Sequence, residues 1–220
     1  VIGFIIYKKD IIEKEPIKLL LKLFLFGILS TGVALFLEIY AEKIFPFSLQ
    51  NNIIGILFRS FIIISFCEEL VKWLFTYVIC WKDKSFNYVY DAIVYCVFIS
   101  LGFASIENLI AILSNSGGFA LALQRGLITV PAHAFFGIIS GYYLGLAKKY
   151  EARRWNKRKR KYIILSLLIP IIVHGMFDSL LFLSSTASLL FATALIVYLY
   201  LSSALKVVKT SSEAKKITRR

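Results

Sequence analysis

The chain has 220 residues, enough for one domain, and 59% of them are hydrophobic. The mean hydropathy of +0.76 excludes an ordinary soluble globular protein. The formal net charge of +13 would suit a nucleic-acid-binding protein, so the placement of the basic residues has to be examined before a partner is named. We expect residues 1–220 to form a single integral-membrane domain.

The chain opens with VIGFIIYKKD, which we interpret as the end of a first membrane helix whose beginning is missing. Fuller hydrophobic segments follow at residues 18–39, 53–81, 88–113, 119–147, 162–183 and 186–206. A helix crosses about 30 Å of hydrocarbon with about 20 residues and satisfies its own backbone hydrogen bonds there. We therefore predict an all-α, polytopic transmembrane helix bundle of about seven passes, the first of them truncated.

Basic residues are concentrated in alternate connections between these segments. They lie in residues 8–18, 82–84 and 148–161 and in the tail from 206 to 220, whereas the opposite connections contain only Lys43. This is the positive-inside pattern, which predicts a cell-membrane protein that starts outside and has a cytoplasmic C-terminus. We expect the basic loops to contact anionic lipids of the bilayer, and we expect no nucleic acid as a partner.

Ionisable residues also occur deep inside the apolar segments, where each charge costs about 2.5 to 3.5 kcal/mol on insertion scales. Such residues face the bundle interior or a wet cavity, and they indicate a functional site. From the predicted topology they can meet at one level, at or outside the midplane of the membrane. They are Glu68, Glu69, Glu107, His133, His174 and Asp178.

Helical spacing suggests how some of these side chains meet. Glu68 and Lys72 are four residues apart, so they share a face and can pair, whereas Glu69 points about 100° away. His174 and Asp178 have the same spacing, which lets the carboxylate reach the imidazole. Buried carboxylates and imidazoles suit general acid–base chemistry on water.

A metal is a second possibility for the same residues. Two histidines and one carboxylate are a known zinc ligand set, but here the histidines are dispersed over different helices. We therefore expect no metal and no cofactor at this site, without excluding zinc. Neither a Ser-His-Asp triad nor an HExxH motif is present in the sequence.

The fifth pass contains a row of small residues next to one histidine. Gly137, Gly141 and Gly145 follow His133 at intervals of four, and this row predicts close packing against another helix. Arg125 lies on the same row at the start of the segment. Lys72, Glu107, Asn108 and Arg125 are candidates for a supporting role, whereas Asp91, near the cytoplasmic end of its helix, suits a structural or capping role equally well.

Four motifs in order on successive helices resemble the PrsW family of intramembrane proteases. They are EELVK at 68–72, GFASIEN at 102–108, PAHAFFGIISGYYLG at 131–145 and HGMFD at 174–178. The stretch KKDIIEKEPIKLL at 8–20 also resembles that family's loop after its first helix. The resemblance covers nearly the whole chain and extends to the superfamily of CAAX prenyl proteases and bacteriocin-processing proteins.

The resemblance implies a role for each candidate residue. Glu68 would be the base that activates water, with Glu69 beside it for positioning. His133 and His174 would bind or polarise the attacked carbonyl or the water, and Asp178 would orient His174. Relatives have a histidine where this chain has Glu107, so the role of Glu107 stays open.

The resemblance also implies an activity, which is site-1-type cleavage of a membrane-anchored anti-sigma factor on the extracytoplasmic side. The substrate would be a single-pass membrane protein, and we favour a glutamic over a metal-dependent protease. Three other interpretations of this cluster of acids and histidines remain open. One is a proton- or cation-coupled transporter or channel that uses the same buried acids, although no inverted repeat is apparent. The second is a CAAX-type prenyl protease, and the third is a non-enzymatic protein that keeps the superfamily fold.

Overall fold

A computed structural model describes residues 1–10, 13–114, 118–212 and 217, and within these residues all regular structure is helical. A 3₁₀ turn (Pro46–Leu49) follows the second helix, and a π-helix (Arg59–Ser65) joins the third helix to the fourth. The α-helices are α1 (Ile2–Lys9), α2 (Ile17–Ile44), α3 (Ile53–Phe58), α4 (Phe66–Cys80), α5 (Val89–Ser114), α6 (Gly118–Ala152), α7 (Asn156–Leu183) and α8 (Thr186–Ser211).

Five of these helices, α2 and α5 to α8, are each long and apolar enough to cross a membrane. Residues 53–80 form a further long helical segment that is continuous from α3 through the π-helix to α4. Arg59 and Phe66, at the two junctions, both have right-handed helical dihedral angles. Helix α1 is short, with eight residues. The predicted all-α, multi-pass membrane bundle is therefore confirmed.

Two helices extend further than hydropathy predicts. Helix α6 continues to Ala152 and α7 begins at Asn156, whereas the apolar segments end at 147 and begin at 162. The additional turns are rich in Lys and Arg. These residues are good helix formers and can hold a helix together beyond the hydrocarbon.

Helix α5 is the centre of the bundle and packs most extensively against α6 and α2. The side chains of Ile93, Tyr95 and Phe103 on α5 are almost fully buried. The glycine row of α6 lies directly on α5, since a Cβ on Gly137 would lie 2.8 Å from the carbonyl oxygen of Cys96 and one on Gly141 would lie 2.5 Å from the Cα of Ile93. The predicted close approach of another helix at this row is confirmed, and that helix is α5.

Helix α7 packs against the π-helix that precedes the two glutamates of α4. A Cβ on Gly175 would lie only 2.5 Å from Cδ1 of Phe61, so a glycine is needed at this crossing. A π-helix fits about one more residue into each turn than an α-helix does, and such segments are frequent at functional sites. The close approach of α7 brings the segment that contains His174 next to the segment that contains Glu68 and Glu69.

Candidate active site

Every candidate residue of the sequence lies in one connected network of side chains from α4, α5, α6 and α7. At its inner end the side chains are almost completely buried, with His133 at 2% and Glu68 at 5% of full exposure. At its outer end the side chains of Glu107, Arg125 and Asp178 are 26%, 22% and 15% exposed. The network therefore extends from the bundle interior to a partly accessible rim.

Lys72 contacts three ionisable side chains at the buried end of the network. Its Nζ donates to Oε1 of Glu69 at 2.6 Å and to Oε2 of Glu68 at 3.5 Å, and it lies 3.3 Å from Nδ1 of His133. The ammonium group also lies 4.4 Å from the centre of the Phe103 ring. The predicted pairing with Glu68 is present, but Glu69 is the closer partner. Residues three apart on a helix are neighbours as much as residues four apart, so Glu69 also reaches Lys72.

His133 connects Lys72 to the rim. Its Nε2 lies 2.7 Å from Oε2 of Glu107, while its Nδ1 faces Lys72. Donation from Nε2 to the carboxylate and acceptance at Nδ1 from the ammonium describe a neutral imidazole. Glu107 accepts a second bond at 2.6 Å from Nη2 of Arg125, whose Nε donates to Oδ1 of Asn108 at 2.9 Å. Glu107 thus holds His133 in place and links it to Arg125 at the rim.

His174 lies between two carboxylates. Its Nδ1 is 3.0 Å from Oε1 of Glu69, and its Nε2 is 3.2 Å from Oδ2 of Asp178. The ring stacks on Phe136 with 4.7 Å between centroids, which fixes its plane. Because both ring nitrogens face acceptors, the arrangement is satisfied by an imidazolium that donates from both.

The two adjacent glutamates differ in how firmly they are held. Glu69 is fixed by Lys72 at 2.6 Å and by His174 at 3.0 Å. The nearest cationic groups to Glu68 are farther away, Lys72 at 3.5 Å and Nε2 of His174 at 4.0 Å. Glu68 is therefore the buried carboxylate of this network whose lone pairs are least engaged by the described residues.

One acidic residue near this network was missed in the sequence. Glu38 on α2 has a buried Oε1 with no hydrogen-bond partner among the described residues, and its carboxylate interacts electrostatically with Glu107 and His174. On the same helix, Glu42 forms a 2.8 Å ion pair with Arg59 of the π-helix. Glu38 lies at the end of the apolar segment 18–39, so the criterion of an acid deep inside such a segment does not select it.

Three of the network residues could hold a metal ion. Glu68, His133 and His174 each offer one donor atom, and these atoms lie within 4.8 Å of one another. Two imidazoles and one carboxylate are the donor set of several catalytic zinc sites. The residues therefore fit zinc by type and spacing, although Lys72 lies against Nδ1 of His133 in this arrangement.

The chain is similar to known proteins over most of its length. A family model described as "PrsW family intramembrane metalloprotease" matches residues 15–205. "Protease PrsW" of Clostridioides difficile (strain 630) is 32% identical over 216 residues, which cover 97% of this chain and 88% of that protein. "Protease PrsW" of Bacillus subtilis (strain 168) is 34% identical over 175 residues, which cover 80% of this chain and 75% of that protein. No solved structure gives a significant match to the chain.

Proposed function

The chain belongs to the PrsW family of intramembrane proteases, and from this premise we propose that it hydrolyses a peptide bond of a single-pass membrane protein with water activated by Glu68. This assignment rests on how differently Glu68 and Glu69 contact the neighbouring cationic groups. A general base needs a lone pair directed at water, and Glu68 is the buried carboxylate whose contacts to cationic groups are long.

In the proposed reaction Glu68 takes a proton from water while the oxygen attacks the carbonyl carbon of the scissile bond. The carbonyl oxygen becomes an oxyanion, which needs donors that are already in place. Lys72 and His174 lie within 4.0 Å of Glu68 and are the cationic donors nearest to it. When the carbon–nitrogen bond breaks, the protonated Glu68 returns its proton to the leaving amine, which regenerates the carboxylate.

The remaining acids position these donors. Glu69 holds both Lys72 and His174, and Asp178 holds the second nitrogen of His174. Fixed donors cost no reorganisation when charge develops, which is the main source of electrostatic catalysis. On this proposal Glu69 and Asp178 are positioning residues, and their loss weakens the reaction through Lys72 and His174.

A zinc ion is the alternative that the family description raises. Glu68, His133 and His174 would hold it, and it would polarise the scissile carbonyl and activate a bound water. We favour the metal-free form because the ammonium of Lys72 already faces two of these three donors, at 3.3 Å from His133 and 3.5 Å from Glu68.

The rim of the network suggests where substrate enters. Glu107, Arg125 and Asp178 are its partly exposed members, and Glu107 lies toward the end of α5 that is remote from the basic loop at 82–84. We propose that the basic loops and the C-terminus are cytoplasmic, in contact with anionic lipids of the cell membrane. The site would then lie toward the extracytoplasmic side, which suits site-1-type cleavage of a membrane-anchored, anti-sigma-factor-like protein, and we propose no nucleic acid as a partner.

The test uses the purified chain in proteoliposomes with a tagged, single-pass, anti-sigma-factor-like protein. Glu68→Gln and His174→Ala should give no cleavage product. The control Glu151→Gln, which removes an acid paired with Lys159 near the basic connection, should cleave like the parent. Normal cleavage by a folded Glu68→Gln protein would overturn the assignment of the base. Loss of cleavage in a chelator, restored by zinc alone, would replace the metal-free form by the zinc form.

A further inference from the structure

A second group of buried acids lies away from the active site. Asp10 follows α1, Glu15 precedes α2, and Asp91 lies in the first turn of α5. Their exposures are 3%, 3% and 0%, and one oxygen from each lies within 4.8 Å of the others. Asp91 and Glu107 are 16 residues apart on α5, which corresponds to roughly 24 Å of helix, so the two sites are separate.

The protein satisfies these carboxylates only in part, and with neutral donors. Asp91 accepts the backbone N–H groups of Asn87 at 2.8 Å and Tyr88 at 2.6 Å through Oδ2, which agrees with the capping role suggested by the sequence. Glu15 accepts the hydroxyl of Tyr95. The other oxygen of Asp91, Oδ1, and the Oδ2 of Asp10 are buried and have no hydrogen-bond partner among the described residues.

The basic side chain beside this cluster is directed elsewhere. Nζ of Lys14 donates to the backbone carbonyl of Tyr7 at 2.6 Å, to that of Lys8 at 3.1 Å, and to that of Asp10. The ammonium group of Lys14 therefore donates to backbone carbonyl groups and not to the carboxylates of the cluster. Three buried acids without a salt-bridged cation in the described part of the chain are expensive, because each ionised group loses its hydration.

We propose that Asp10, Glu15 and Asp91 bind a hard divalent cation, such as Ca²⁺ or Mg²⁺, that ties the end of α1 and the start of α2 to α5. Carboxylate oxygens are the preferred ligands of these ions. Calcium–oxygen bonds of about 2.3 to 2.6 Å let one ion span oxygens that are roughly 4.6 to 5.2 Å apart, which covers the separation found here. Water can complete the coordination from the side of Glu13, an exposed acid bonded to Asn87.

A proton is the competitor for this position. Burial, and then the charge of Asp91, raises the pKa of Glu15 to about 9, and burial raises the pKa of Asp10 to about 6. Without a cation, the cluster can lower its charge only by binding protons. The experiment must therefore separate cation binding from protonation.

The experiment uses the purified chain of residues 1–220 in detergent, stripped with a chelator and titrated with CaCl₂, MgCl₂ or MnCl₂. Thermal unfolding should shift to higher temperature as the ion is added, because the ion binds the folded chain. Electron paramagnetic resonance should detect a single tightly bound Mn²⁺ per chain. Glu15→Gln, which keeps an acceptor for Tyr95, should weaken this binding by about ten-fold or more, since it removes a charged ligand.

Matched variants distinguish binding at these three acids from binding elsewhere on the chain. Glu13→Gln removes a charge from the same loop but no proposed ligand, so it should bind Mn²⁺ like the parent. His174→Ala, which removes a donor of the zinc-type group in the active site, should also retain Mn²⁺. Asp10→Asn provides a second ligand variant if Glu15→Gln does not fold. Absence of Mn²⁺ binding and of any thermal shift at millimolar ion, or unchanged affinity in the ligand variants, would overturn the proposal.

Discussion

The two buried groups of acids in this bundle are balanced in different ways. In the active site each of the four carboxylates lies within 4.0 Å of a lysine, an arginine or an imidazole. In the cluster of Asp10, Glu15 and Asp91 the hydrogen-bonding partners are backbone N–H groups and a tyrosine hydroxyl. The chain supplies its own counter-charges at the proposed active site, whereas the second cluster has no salt-bridged cation among the described residues, which is why we propose an ion from solution there.

The largest effect should separate the two glutamates of α4. Glu68→Gln should lower the rate of cleavage by about 10³-fold, the range of a lost general base, and change stability little. Glu69→Gln should lower both rate and stability, because Lys72 and His174 lose their closest shared partner. Single-turnover cleavage and thermal unfolding of the purified variants measure the two quantities. Equal loss of stability in both variants would contradict the distinction between a base and a positioning residue.

Lys72→Met should have the next largest effect, on stability. It leaves Glu69 buried beside a single partner, His174, and such a lost counter-charge costs about 3 to 5 kcal/mol. Combining it with Glu69→Gln should recover part of this loss, because the uncompensated charge is gone. Denaturant unfolding of the single and double variants measures the coupling. Strictly additive losses would show that the ion pair does not balance the site.

The next prediction concerns the packing of α6 on α5, the helix that contains both Asp91 and Glu107. Gly141→Ala places a Cβ at 2.5 Å from the Cα of Ile93 and should separate α6 from α5, at a cost of about 1 to 3 kcal/mol. Gly126→Ala on the same helix meets nothing within 4 Å and should be neutral or slightly stabilising. Thermal unfolding of the pair checks this prediction, and equal melting temperatures would argue against tight packing at the glycine row.

The smallest expected effect is on stability, when the charge of one acid is removed in each of the two clusters. In a chelator, Asp10→Asn should leave stability unchanged or raise it by up to about 1 kcal/mol, because it removes an uncompensated buried charge. Glu107→Gln should lower stability by about 1 to 2 kcal/mol, because its bonds to His133 and Arg125 are charge-assisted. Melting temperatures in matched buffers test the comparison. Destabilisation by Asp10→Asn in a chelator would show that this cluster is balanced within the chain.

The sequence predicts most of the fold because hydropathy reports directly on membrane spans. For example, the predicted segments 53–81 and 88–113 correspond to the observed helical stretches 53–80 and 89–114, and no end differs by more than one residue. The π-helix could not be predicted from the hydropathy of its own segment, and neither could its crossing by α7, where Gly175 lies against Phe61. Such a crossing depends on the rotation of two helices, which periodicity in one segment does not specify.

The site shows the same limit. The cost of burying charge identifies the acids and histidines without any contact information, and all the candidates converge. The specific pairs depend on helix rotation, so neither the contact of His133 with Glu107 nor that of His174 with Glu69 follows from spacing. Glu38 was missed because it lies at the end of an apolar segment, where an acid ordinarily contacts water.

The most direct test of Glu68 as the base of an intramembrane protease is a comparison of membrane-protein termini in cells. Cells that produce the parent chain, Glu68→Gln or the control Glu151→Gln at equal levels would be compared by terminal proteomics of their membrane fractions. We expect new termini within or next to membrane segments for the parent and the control, and accumulation of the uncut proteins with Glu68→Gln. The same new termini in cells with a folded Glu68→Gln protein would contradict the role of Glu68 as the base.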